Sequence, residues 1–214
     1  MSAAVSDRRA LHAGIAIEWW SIGWMAAEAA VSLSAGAAAG SIALIAFGAD
    51  SLIELVSAGT LLRRLRVEQA GGCAAEVQAA ERKASGVVGI LLFLLAIWVV
   101  GSVLQDVLTR ARPEGSPAGL IIAAASTVVM PWIVATKRRI ADRIGSPALR
   151  ADAACGLVCA TMAGTLLAGL ALRAALGWWW ADPLAALGIV YFIIREGREA
   201  TAVARGRAEA CGCR

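Results

Sequence analysis

An all-α, integral membrane bundle of six transmembrane helices is the fold class this sequence predicts, and three observations predict it. Hydrophobic residues make up 59% of the 214-residue chain and charged residues only 17%, whereas a soluble domain carries roughly 25% charge. The apolar residues, with a mean hydropathy of +0.71, are gathered into solid Ala- and Leu-rich runs of about 20 residues, each able to cross ~30 Å of hydrocarbon as a helix. They do not alternate every second residue, as the strands of a membrane barrel would. The basic residues, finally, sort to one side of the runs.

Segment 1–11 is short and polar, carries Asp7, Arg8 and Arg9, and lacks a secretory pattern; it reads as a cytoplasmic N-terminal segment. The six spans fall near 12–34, 41–62, 85–108, 117–136, 149–172 and 180–197. Between the second and third, a polar loop from Arg63 to Lys83 bends at Gly71 and Gly72. Two prolines and a glycine make Arg110–Pro117 a connector rather than a domain. Pro131 inside the fourth span is expected to kink it. Residues 12–197 therefore form one membrane domain, and 198–214 are expected to be a short cytoplasmic tail, too short to fold alone.

The formal net charge of +4 would suit nucleic acid if it were gathered on one soluble face, but it is distributed by membrane side. Seventeen basic residues lie at the ends of the spans that share a side with the N-terminus, and only Arg110, Arg112 and Arg173 lie opposite. The positive-inside rule then puts both termini in the cytoplasm, which requires an even number of crossings. An inner (plasma) membrane location is expected. Trp178, Trp179 and Trp180 fall at the outer interface, where amphipathic rings settle. Of the five cysteines, Cys73, Cys211 and Cys213 face the reducing cytoplasm and Cys155 and Cys159 lie inside the fifth span; no disulfide framework is implied.

Acidic residues inside the runs carry the chemistry. Glu18, Glu28, Asp50 and Glu54 lie well within spans, with Asp106, Asp152 and Asp182 near span ends. Four unpaired carboxylates at that depth would cost on the order of 10 kcal/mol. With Lys137 read as part of the connection after the fourth span, no basic residue lies in the middle of any span to compensate. Asp50 and Glu54 are four residues apart and share a helix face. Asp152, Cys155 and Cys159 form a second stripe at i, i+3 and i+7. With spans two and five antiparallel, Asp50 meets Cys159 in depth and Glu54 meets Cys155, a four-ligand site suited to Zn²⁺ and, through its thiolates, to Cd²⁺. Its ligands shed protons to bind metal, which links binding to pH. Glu18, on the cytoplasmic side within reach of Glu54, reads as a gate, and Glu28 with Asp106 as exit-lining or solvated acids. Asp182 before Pro183 reads as the N-cap of the sixth helix, His12 as incidental, and Cys211-Gly-Cys213 as a loose tail or a weak metal trap.

At these residues the chain resembles the cation diffusion facilitator (cation efflux) family of metal–proton antiporters. The resemblance rests on Gly40–Glu54, Leu149–Asp152 and Ala181–Leu187 and runs from about Leu11 to Arg198. It implies metal ligands at Asp50 and Glu54 on the second helix, and at Cys155 and Cys159 where the family's fifth helix carries His or Asp; Asp152, one turn earlier, is the alternative. It further implies alternating access, a homodimer held by transmembrane helices, and transport of Zn²⁺, with Cd²⁺, Fe²⁺, Mn²⁺ or Co²⁺ as other cargoes, without a prosthetic group and without enzymatic activity. The sequence resembles the membrane-only branch that lacks the family's cytoplasmic C-terminal domain. Two rival readings are an intramembrane thiol oxidoreductase using Cys155 and Cys159, and a metal-binding sensor or scaffold that transports nothing.

Overall fold

The computed structural model describes residues 2–70, 74–109, 116–178 and 180–206. Six helices follow in order: α1 (Ser2–Ala39), α2 (Ile42–Gln69), α3 (Ala74–Thr109), α4 (Pro117–Ile144), α5 (Pro147–Leu176) and α6 (Ala181–Ala204). No strand occurs among the described residues. The expectations for Cys73, Trp179, Cys211 and Cys213, for the bend at Gly71 and Gly72, and for the connector residues Arg110 and Arg112 fall outside the described residues.

The helices outlast the apolar runs that predict them, α1 reaching 38 residues and α3 36. Backbone hydrogen bonding continues past the hydrocarbon edge, and long basic side chains there keep their charged heads in water. Five helices contain a stretch apolar enough to cross a membrane. In α6, Asp182 near one end and Arg195, Glu196, Arg198 and Glu199 near the other confine the uncharged part to residues 183–194. Its 24 residues still span ~36 Å at helical rise.

Sequence punctuation places each end. Ser116-Pro117 and Ser146-Pro147 start α4 and α5, each serine side chain accepting a hydrogen bond from the backbone N–H three residues on, Gly119 and Leu149 respectively. Serine satisfies an orphan donor there, and proline at the first helical position has no N–H to leave unpaired. Gly40 turns the chain between α1 and α2 at φ +65°, a conformation that costs glycine little. The α1–α2 hairpin then crosses tightly: a Cβ on Gly48 would lie 2.9 Å from the backbone nitrogen of Leu33. Small residues at a crossing let backbones approach where lipid supplies no hydrophobic drive.

Helices α1 with α2, α3 with α6 and α4 with α5 make the most extensive pairings, and α2 also touches α3, α5 and α6. The core runs through Phe47 of α2, Leu92 of α3, Ile133 of α4, Met162 of α5 and Ile189 of α6. Ile97, Leu108 and Val128 are 70–75% exposed on the outside, as lipid-facing residues must be.

Candidate metal site

Two helices are pinned at one end before they build the site. The Ser41 hydroxyl at the start of α2 donates to the Asp182 carboxylate of α6, and the Ala43 backbone N–H donates to the same group at 3.4 Å. Asp182 therefore caps its neighbour α2 and not α6 itself, where Trp180 stands at the N-cap without a side-chain bond; the expected self-cap is corrected. An anion at the first turn of α2 also meets the positive end of that helix dipole. From this tie, Glu54 lies about 20 Å along α2 and Glu196 about 21 Å along α6 at helical rise, so the two arrive at one level.

There Asp50, Glu54 and Glu196 come together, each offering a carboxylate oxygen within 4.8 Å of the others. Asp50 is fully buried, and neither of its oxygens has a hydrogen-bond partner; Glu196 is 8% exposed with Oε1 likewise unpartnered. Glu54 and Glu196 open onto a cavity of about 120 Å³ that Lys137 and Asp152 also line. At roughly 10–15 Å³ of such space per water, it holds an ion with several waters. Glu199 also lines it, so carboxylates outnumber the single ammonium and the space favours a cation.

The cysteines take other parts. Cys159 is fully buried on α5 with a free thiol. Cys155 lines the cavity.

Lys137 revises the charge accounting. It stands inside α4, 4% exposed, not in the connection after the fourth span. Its ammonium reaches Glu18 of α1 at 2.9 Å and Asp152 of α5 at 2.5 Å. A basic group does compensate the buried Glu18 and the half-buried Asp152, and Glu18 is tied into this triad. Glu28 is fully buried, accepts a hydrogen bond from Ser51 at 3.3 Å and has Ser126 beside it. Asp106 is partly exposed on α3. His12 meets Gln69 at 3.2 Å, joining α1 to α2.

Sequence reasoning missed Glu196. It sits in Arg195-Glu196-Gly197-Arg198-Glu199, a run that resembles a solvated helix end, and Arg195 does pair with Glu199 on the exposed side at 3.3 Å. The signal was helical phase: Ile189, Ile193 and Glu196 follow one stripe, and all three are buried.

The chain matches the family model described as the cation efflux transmembrane domain over residues 19–202. It is 27% identical over 180 residues to a protein of Synechocystis sp. named as an uncharacterized transporter. That match covers 83% of this chain, which spans 58% of the relative's length.

Proposed function

Because the chain belongs to the cation efflux, or cation diffusion facilitator, family, we propose that it carries a divalent metal cation of the zinc class out of the cytoplasm in exchange for protons. The observation that carries this reading is Asp50, fully buried with both oxygens unpartnered and a second carboxylate, Glu54, one turn away. Lys137, the only Lys or Arg in the buried class among the described residues, is already held by Glu18 and Asp152. The remaining carboxylates need either protons or a metal cation, because an unneutralised charge at that depth is costly.

Those two occupants compete for the same oxygens, since carboxylates bind metal only when deprotonated. A metal arriving from the cavity displaces protons, and protons arriving from the opposite side displace metal. Rocking of helices around a fixed mid-membrane site converts that competition into antiport. In this reading both termini are cytoplasmic, and two copies associate through membrane helices.

The test is flux by purified protein in liposomes carrying a proton gradient. Wild type is expected to accumulate Zn²⁺ with coupled proton movement, and Asp50→Asn to fall to the protein-free background while eluting as a folded species. Wild-type flux from Asp50→Asn would remove this site from the transport pathway.

A further inference from the structure

We propose that α6 supplies a third metal ligand, Glu196, and that the site therefore takes its cation through carboxylate oxygens alone. This rests on the transport reading above and deepens it by naming the cation class. The geometry has two independent parts. The ligating atoms of Asp50, Glu54 and Glu196 lie within 4.8 Å of one another. Glu196 Oε1, on a side chain 8% exposed, also has no hydrogen-bond partner and faces the cavity.

The surroundings keep Glu196 from being a misplaced surface acid. Arg195 is engaged with Glu199, and Lys137 is engaged with Glu18 and Asp152. Nothing cationic is bonded to Glu196 among the described residues. Asp50 and Glu54, of its own sign, each bring a carboxylate oxygen within 4.8 Å of its own, an arrangement that calls for a cation between them.

Sulfur stands at one remove. The three grouped ligand atoms are all carboxylate oxygens, and no cysteine sulfur joins them among the described residues. Three carboxylates, with waters filling the remaining positions, suit Mn²⁺, Fe²⁺, Co²⁺ or Zn²⁺; a soft ion such as Cd²⁺ gains no thiolate here.

The experiment is equilibrium binding of Mn²⁺ and Cd²⁺ to the purified full chain in lipid nanodiscs. Glu196→Gln is expected to weaken Mn²⁺ by at least about tenfold. Glu196→Cys is expected to raise Cd²⁺ relative to Mn²⁺ by roughly tenfold or more, because a thiolate then joins the site. Cys159→Ser is expected to leave the ratio of the two metals standing. Should Glu196→Gln not fold, the Cd²⁺-to-Mn²⁺ ratio of Glu196→Cys decides the matter.

Unchanged Mn²⁺ binding in Glu196→Gln, an unmoved ratio in Glu196→Cys, or selective loss of Cd²⁺ in Cys159→Ser overturns the inference. If Asp50→Asn abolishes binding while Glu196→Gln does not, this inference alone falls. If Asp50→Asn binds as wild type does, the transport site falls with it.

Discussion

Lys137 sits between two carboxylates from different helices, Glu18 on α1 and Asp152 on α5, and is 4% exposed. Removing the ammonium strands the buried Glu18 and the half-buried Asp152, and breaking a buried pair such as Lys137–Glu18 costs about 3–5 kcal/mol. Lys137→Met is therefore expected to lower the thermal midpoint in detergent markedly, with recovery when Glu18→Gln and Asp152→Asn are added to the same chain. A Lys137→Met protein that melts like wild type would mean that water already screens the triad. That Asp50 and Glu54 stand together was legible in the sequence, because carboxylates four residues apart share a helix face. Lys137 was not, since it opens Lys137-Arg138-Arg139, a run that looks like an interfacial cluster. Only its phase separates it: Met130, Ile133, Val134, Lys137 and Ala141 share the buried face of α4.

Among the elements, α1 and α2 form the tightest hairpin, and Gly48 is its contact point. The Leu33 backbone nitrogen lies 2.9 Å from where a Cβ would be, and backbone cannot rotate away as a side-chain tip can. Gly48→Val is expected to cost on the order of 1–3 kcal/mol through overpacking and to tilt Asp50, two residues on, away from its partners. Gly23→Ala is the control, as nothing lies within 4 Å of its added methyl. Denaturation in graded detergent mixtures, read beside Mn²⁺ binding, checks both; equal behaviour of the two variants would refute the crossing as a constraint. The helices themselves were legible because length and solid hydrophobicity identify a span without any tertiary knowledge. The partner of Asp182 was not, because a hydrogen bond to Ser41 across 141 positions leaves no local trace.

At the scale of the molecule, the positive-inside rule predicts that the ends of α1 and α6 share the cytoplasmic side. The expected outcome is that Trp178→Cys reacts with a membrane-impermeant maleimide in intact cells, whereas Gln69→Cys reacts only once the membrane is opened, each read against the parent's own cysteines. The reverse pattern would invert the topology. Trp178 and Trp180 stack at 4.7 Å at the α5–α6 turn, and Trp20 meets Trp132 edge-on at 6.5 Å elsewhere in the bundle, rings of the kind that anchor a protein at headgroup depth. Six helices and a charged interior could be seen in the chain from its chemistry alone. Which acids meet could not, because that depends on helix register and rotation, and those are fixed by cross-helix ties.

The short uncharged middle of α6 has a consequence for how the protein is made. With Asp182 at one end and a charged quartet at the other, the uncharged stretch is shorter than the roughly 20 residues a helix needs to cross by itself. In the folded chain Asp182 is met by Ser41 of α2, and Glu196 stands beside Asp50 and Glu54 of the same helix. Entry of α6 into the bilayer is thus coupled to docking, so a lesion in α2 would surface during biogenesis as a topological defect in a distant segment.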